Sequence, residues 1–153
     1  MIHLHWYKEG ETPAIALPLI NECGVKPSEE PFARMACLLD DIGECVAIGR
    51  LAFVGLCTAN ACFMEYKSGY ISDFIYVKES ARGKGYGDFM TRAVLEKALY
   101  HKAPFVRVLS RKEDAAFFER YGLRAVSQTD GCAVMEAKAD ELALTCADRK
   151  QYV

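Results

Sequence analysis

Apolar residues recur at strand-like spacing in the first half of the chain and, in two stretches of the second half, at helix-like spacing. Strand-length apolar runs at 33–40 and 44–53 flank the turn signal at 41–43, and together they predict a hairpin. A second pair is predicted around the polar residues 67–69. The elements predicted up to residue 77 are a weak strand at 1–7, a short helix at 12–22, and strands at 33–40, 44–53, 59–66 and 69–77.

From residue 88 to 101 apolar residues recur every three or four positions with charged residues between them, which predicts an amphipathic helix. Because this helix joins strand 69–77 to the next predicted strand, 105–109, we expect those two strands to be parallel in an otherwise antiparallel sheet. The remaining predicted elements are a helix at 112–121, closing strands at 123–127 and 132–137, and a terminal helix or tail at 138–153.

The predicted architecture is of the α/β (α+β) class, with a mixed, mostly antiparallel central sheet, one parallel strand pair and flanking helices. With 153 residues, 52% hydrophobic and 26% charged, the chain is expected to form one domain spanning residues 1–153. Its net charge of −2 argues against a surface that is basic overall, so no nucleic-acid partner is expected. No apolar run is long enough for a membrane helix, and we expect neither a membrane partner nor a signal peptide.

Seven cysteines are present, an odd count without any C-x-x-C spacing, which disfavours a disulfide framework. We expect reduced, mostly buried thiols and a cytoplasmic protein. No metal site is expected, since His3 and His5 share one face of a predicted strand but have no third ligand. The cysteines in apolar runs are Cys37, Cys45, Cys62 and Cys132.

The segment 71–88 carries the strongest chemical signal, because a strand leads into a glycine-rich turn that begins an amphipathic helix. The first turn of a helix presents backbone N–H groups without intrahelical acceptors, and the helix dipole attracts phosphate. Glycine lets an anion approach the backbone closely, and Arg82 and Lys84 add positive charge. The segment therefore predicts a cradle for a diphosphate; a glycine-rich connection without a ligand is the alternative.

The glycine spacing separates this turn from the commoner phosphate loops. Gly83, Gly85 and Gly87 recur at every second residue, whereas a dinucleotide loop has the pattern G-x-G-x-x-G. A nucleoside triphosphate loop ends in Lys followed by Ser or Thr, but Asp88 and Phe89 follow here.

At this point the chain resembles the GCN5-related N-acetyltransferases (GNAT). Residues 82–87, with the sequence RGKGYG, match the family's R/Q-x-x-G-x-G/A motif. Residues 75–77 match the strand end before that loop, 115–123 look like the later helix, and 45–51 look like a central strand with a glycine. The resemblance covers about residues 33–137 in the family's order.

The resemblance implies that acetyl-CoA is the co-substrate and that an amine is its acceptor. Backbone N–H groups between Gly83 and Asp88 would hold the pyrophosphate, and a backbone N–H within 75–77 would polarise the thioester carbonyl. The coenzyme-binding residues expected on this basis are Ile75, Tyr76, Val77, Arg82, Gly83, Lys84, Gly85, Tyr86, Gly87 and Asp88.

Two residues are candidates for proton transfer. Asp73 lies two residues before Ile75 in an apolar strand, so it shares that residue's face and is the candidate base, directly or through water. A structural or substrate-orienting carboxylate is the alternative. Many family members place a tyrosine where this chain has Phe118, so Tyr121, about one helical turn later, is the candidate acid; a packing role is its alternative. Arg111 also replaces an asparagine common near the start of that helix.

Three functional hypotheses follow. The first is an acetyl-CoA-dependent N-acetyltransferase acting on a small molecule or a protein by direct attack in a ternary complex. The second is a catalytically weak or inactive acyl-CoA-binding sensor, motivated by Phe118. The third is a structural protein with an unused loop. A homodimer through an exposed closing strand is left open, and the sequence does not identify the acceptor.

Overall fold

A computed structural model describes residues 2–24, 33–57, 66–129 and 131–144, with the backbone alone for residues 53–57, 66–71, 73, 74 and 129. The chain forms two compact units. The first contains Met1–Ala52 and Ser72–Val94, and the second contains Phe53–Ile71 and Leu95–Val153.

Seven strands and three α-helices are described. In chain order they are β1 (His3–Trp6), α1 (Leu17–Cys23), β2 (Arg34–Leu39), β3 (Cys45–Cys57), β4 (Tyr66–Val77), α2 (Tyr86–Tyr100), β5 (Phe105–Arg111), α3 (Ala115–Glu119), β6 (Arg124–Thr129) and β7 (Cys132–Lys138). Four single 3₁₀ turns lie between or after them, at Ala14–Ala16, Glu79–Ala81, Lys112–Asp114 and Ala139–Glu141. None of the described helices is long and apolar enough to cross a membrane.

In the first unit the strands follow the order β1-β2-β3-β4. Both β1 and β3 pair antiparallel with β2, with His3 opposite Leu39 and Ala36 opposite Gly49. The four central residues of β2 are all buried, so this strand reads as a continuous apolar run rather than an alternating one. Its side chains join those of α1 in one core cluster of Ala16, Leu19, Met35, Cys37, Cys45 and Ile48.

Helix α2 approaches β3 closely at Gly49. A Cβ built on Gly49 would lie 2.7 Å from Cγ2 of Val94 and 2.9 Å from Sδ of Met90, both of which are fully buried. A side chain at position 49 would therefore push the helix away from the sheet. The glycine in this strand is required by packing, because the helix that begins at the glycine-rich loop lies directly on it.

In the second unit β5, β7 and β6 form an antiparallel group in that order. Val106 lies opposite Ala137, and Val108 lies opposite Met135. These four side chains are buried while their neighbours along each strand are more exposed, which is the alternation expected when one sheet face is covered.

The helices and the closing strands confirm most of the predicted order, with shifts at their ends. The predicted helix at 12–22 is a 3₁₀ turn followed by α1, which ends where Gly24 adopts a φ of +75°. The predicted helix at 112–121 likewise divides into a 3₁₀ turn and α3. The expected parallel pairing of β4 with β5 stays a prediction.

Two expectations, the turn at 67–69 and the burial of Cys132, were wrong. The polar residues 67–69 lie inside β4 rather than in a turn, because sheet pairing overrides a weak local turn preference. The predicted strand at 59–66 falls almost wholly outside the described residues and stays a prediction; β3 extends past its predicted end at residue 53 to Cys57. Cys132 is exposed, since it is the first residue of β7 and points away from the covered face.

The other cysteines whose side chains are described agree better with the expectation of reduced, mostly buried thiols. Cys37 and Cys45 are buried in the core cluster, and Cys23 is half-buried; all three are free thiols. The Cys45 thiol donates to the Ala47 carbonyl at 3.4 Å, and a hydrogen bond with Cys45 together with burial raises the pKa of Cys37. Cys57, Cys62 and Cys146 have no described side chains.

Candidate functional site

The loop between β4 and α2 is built from one tight turn and two left-handed glycines. A 3₁₀ turn at Glu79–Ala81 follows Lys78; its Ala81 side chain is buried, and the Ala81 amide donates to the Lys78 carbonyl at 2.9 Å. Gly83 and Gly85 then both adopt a φ of +85°, a conformation that residues with a Cβ rarely adopt. The loop then leads directly into α2, which begins at Tyr86.

The space beside these two glycines is open. A Cβ built on Gly83 or Gly85 would meet no described atom within 4 Å. Gly87 differs, because its φ is not in the left-handed region and a Cβ there would lie 3.7 Å from Cγ2 of Val77, an ordinary contact. Two of the three glycines of the motif are thus required by backbone conformation, and the third is not.

Helix α2 directs its N-terminus into this loop. The Phe89 amide donates to the Gly85 carbonyl at 3.0 Å, which makes it the first intrahelical bond, so the amides of Tyr86 and Gly87 have no acceptor within the helix. The Thr91 hydroxyl donates to the Gly87 carbonyl at 2.7 Å and supports this first turn. Oriented amides and the helix dipole together make a favourable place for an anion.

Asp88 adds a negative charge to the same turn, and Arg92 lies beside it. Nε of Arg92 is 3.4 Å from Oδ2 of Asp88, an ion-pair distance, although that nitrogen makes no hydrogen bond to any described residue. Both side chains are about 31% exposed, so the pair is only partly screened by solvent. The guanidinium offsets a carboxylate that would otherwise repel a phosphate.

Arg82 holds the loop as well as bringing charge to it. Its Nε donates to the Val77 carbonyl at 3.2 Å, and its guanidinium carbon lies 5.3 Å from the centroid of the Tyr76 ring. The side chain therefore folds back on the end of β4. Lys84, the other predicted cation of the loop, is exposed.

Glu22 of α1 joins the same region from a distant part of the sequence. One of its oxygens, Oε2, accepts a hydrogen bond from the Tyr76 hydroxyl at 2.7 Å and another from the Glu79 amide at 3.0 Å. These two bonds lower the pKa of Glu22, and the charges of Arg82 and Lys78 lower it further. Burial raises the pKa of Tyr76, and its bond to Glu22 raises it further.

The end of β4 carries the residues expected to contact the reacting group. Ile75, Tyr76 and Val77 are half-buried. The Lys78 amide donates to the Val46 carbonyl at 2.8 Å, which fixes the strand end against β3. Asp73 lies in β4 two residues before Ile75, as expected, but its side chain lies outside the described part, so its role as a base stays a prediction.

Tyr121, the candidate acid, lies in the second unit just after α3. Its side chain is 1% exposed, its amide donates to the Phe118 carbonyl at 3.1 Å, and its ring packs edge-on against Phe117 at 5.5 Å. Phe118, at the position where the family often has tyrosine, is also buried. The two side chains share the interior of this unit, and the role of Tyr121 as an acid stays a prediction.

The strand, loop and helix match a known family model. The Acetyltransferase (GNAT) family model matches residues 4–123. The chain belongs to the GNAT acetyltransferase family. The resemblance found in the sequence is thereby confirmed, and the match runs from within β1 to Leu123, the residue that follows Gly122.

Solved structures with the same fold cover nearly the whole chain. A bacterial toxin has a TM-score of 0.69 at 13% identity, covering 92% of each chain. Escherichia coli ElaA has a TM-score of 0.64 at 14% identity, covering 90% of this chain and all of its own (100%). An acyl-CoA N-acyltransferase from Pseudomonas aeruginosa has a TM-score of 0.63 at 15% identity, covering 89% of this chain and 99% of its own. No curated protein matches the chain.

These likenesses establish the GNAT fold and leave the acceptor open, because at such low identity proteins with one fold act on different molecules. The residues around the GNAT loop fit a diphosphate: open left-handed glycines, helix amides and two nearby cations. The sequence by itself singles out these features, but it does not single out Glu22, which contacts the same region. Nothing local marks Glu22, because its partners Tyr76 and Glu79 are 54 and 57 residues further along the chain.

Proposed function

We propose that this GNAT protein is an acetyl-CoA-dependent N-acetyltransferase that transfers the acetyl group directly to an amine. The observation that supports this most is the loop of residues 82–87, where two open glycines lead into the amides of α2. The basic side chains Arg82 and Lys84 are in the same loop. A diphosphate carries the charge and the acceptor oxygens that such a set of donors recognises.

In this proposal the main-chain amides from Gly83 to Gly87 donate to the pyrophosphate, and Asp88 marks the end of the binding segment. Because amides are fixed by the backbone, they need no side-chain ordering when the coenzyme binds. The pantetheine arm lies along β4, next to Ile75, Tyr76 and Val77. An amide of this stretch donates to the thioester oxygen, a contact that is typically worth a few kcal/mol when charge develops there.

The chain's own residues supply the proton chemistry. Acetyl-CoA brings the acetyl group as a thioester, so no nucleophilic side chain is needed. Asp73 takes a proton from the amine, directly or through a water molecule, and Tyr121 donates one to the departing sulfur. Each such group typically contributes about 10²-fold or more to a rate, and correct positioning supplies much of the rest.

A second function is carried by one observation. The buried Phe118 cannot donate a proton, and it stands where many relatives have tyrosine. A protein that binds acyl-CoA without transferring the acyl group, such as a sensor, would need the loop but no acid.

The single domain, the cytoplasmic location and a homodimer stay predictions, as do the absence of a metal, of a nucleic-acid partner and of a membrane partner.

Two measurements on the purified full chain separate these functions. Calorimetry with acetyl-CoA measures binding, and release of free CoA thiol in the presence of a panel of amines and peptides measures turnover. Binding with turnover above the uncatalysed rate supports the enzyme. Binding without turnover on any acceptor supports the sensor, and a folded protein with no detectable binding contradicts both.

A further inference from the structure

Glu22 lies near the C-terminal end of α1, yet its carboxylate contacts both sides of the point where β4 becomes the coenzyme loop. Tyr76 is the second-to-last residue of β4, and Glu79 is the first residue of the 3₁₀ turn. Oε2 accepts from the Tyr76 hydroxyl at 2.7 Å and from the Glu79 amide at 3.0 Å. One oxygen atom therefore joins the strand end to the start of the loop.

The contacts continue from Tyr76 into the loop. Its ring lies 5.3 Å from the guanidinium carbon of Arg82, and Nε of Arg82 donates to the Val77 carbonyl at 3.2 Å. Gly83 follows directly, with its left-handed backbone. The Tyr76 ring, whose hydroxyl donates to Glu22, thus lies beside Arg82, the residue directly before the first left-handed glycine.

A carboxylate suits this position better than a neutral side chain. Arg82 and Lys78 place positive charge close to Glu22, and both favour its ionised form. A charged acceptor makes stronger hydrogen bonds than a neutral one, although solvent at this exposed site reduces the difference. A glutamine could still accept both bonds through its single carbonyl oxygen, whereas an alanine could accept neither.

We infer that Glu22 is a positioning residue for the coenzyme loop: from α1 it fixes the end of β4 and the first residue of the 3₁₀ turn, so that the amides ahead of α2 are held ready for a diphosphate. The expected effect on coenzyme affinity rests on the proposed function. The structural claim, that Glu22 holds the start of the loop, does not.

Hydrogen exchange, followed by mass spectrometry on the full chain without any coenzyme, tests the structural claim. In Glu22→Ala we expect amides at 78–85 to exchange about threefold faster, since the loss of the two solvent-exposed hydrogen bonds lets this segment open more often. Glu22→Gln should restore exchange to within about twofold of the parent. Glu96→Gln, which removes an exposed carboxylate from α2 outside this network, is the matched control and should exchange like the parent.

Coenzyme affinity is measured on the same four proteins. Glu22→Ala should bind CoA about threefold to fivefold more weakly, with Glu22→Gln close to the parent. Exchange at 78–85 that is unchanged in Glu22→Ala, or an affinity unchanged despite faster exchange, overturns the inference. If the parent itself does not bind CoA, the proposed function fails, and the exchange result alone then decides whether Glu22 positions the loop.

Discussion

Gly85, directly before α2, and Gly122, after α3, have nearly the same backbone conformation but opposite surroundings. Their φ angles are +85° and +88°. A Cβ on Gly85 would meet nothing within 4 Å, whereas a Cβ on Gly122 would collide with the carbonyl oxygen of Glu141. Next to Gly122 the Ala143 amide donates to the Tyr121 carbonyl at 2.9 Å, so the chain's own C-terminal segment fills that space.

A left-handed glycine by itself therefore does not indicate a ligand. Gly43, in the turn between β2 and β3, also has a positive φ of +80° and open surroundings. What distinguishes Gly85 is its position between a strand end and a helix N-terminus, with Arg82 and Lys84 nearby. Open space and nearby donors must therefore occur together before a glycine turn can bind a ligand.

The largest effect is expected for Gly85→Glu. A carboxylate in the cradle repels a diphosphate and blocks at least two charge-assisted bonds, so CoA affinity should fall by at least about 10³-fold. Isothermal calorimetry measures this. Gly43→Glu is the control, because it imposes the same backbone strain in open space without a proposed ligand; it should lose similar stability and keep full affinity. Binding that survives Gly85→Glu would show that the loop does not hold the coenzyme.

Gly122→Ala should act on stability alone. The collision with the Glu141 backbone and the left-handed φ together cost about 3 kcal/mol, a fall of about 10 °C in the melting temperature. Calorimetric melting and urea unfolding measure it, and the folded fraction should bind CoA like the parent. A stable variant with weakened binding would mean that this turn, too, belongs to the coenzyme site.

Tyr121→Phe tests the residue beside that glycine. If Tyr121 is the acid, the rate of acetyl transfer should fall about 100-fold while CoA affinity stays unchanged. Steady-state kinetics and calorimetry give the two values. Phe117→Leu, which alters the edge-on ring contact but removes no hydroxyl, is the packing control. A rate that Tyr121→Phe leaves intact would assign Tyr121 to packing.

The smallest effect is expected for Gly87→Ala. The new methyl group would make an ordinary 3.7 Å contact with Val77, and alanine is favoured over glycine in a helix by up to about 1 kcal/mol. The melting temperature should therefore rise slightly, with CoA affinity within about twofold of the parent. A tenfold loss of affinity would instead show that the coenzyme passes within contact distance of position 87.

Much of the glycine-rich loop between β4 and α2 could be predicted because its signals are local. Glycines at 83 and 85 act through their own φ angles, and the apolar spacing after residue 88 acts through neighbouring turns of one helix. The strand that contains residues 67–69 was harder to predict from the sequence, because a polar, glycine-containing stretch becomes a strand only when a neighbouring strand pairs with it. The burial of Tyr121 and the exposure of Cys132 also depend on packing that no short pattern reveals.

The sequence alone determined that this chain would form a strand, a glycine turn and an amphipathic helix in the order of the GNAT family, because each of those elements depends on residues within a few positions of one another. No local pattern predicts that Glu22 contacts Tyr76, that α2 packs on Gly49, or that the Glu141 backbone fills the space beside Gly122. Those contacts join residues far apart in the sequence, and they form only when the whole chain packs.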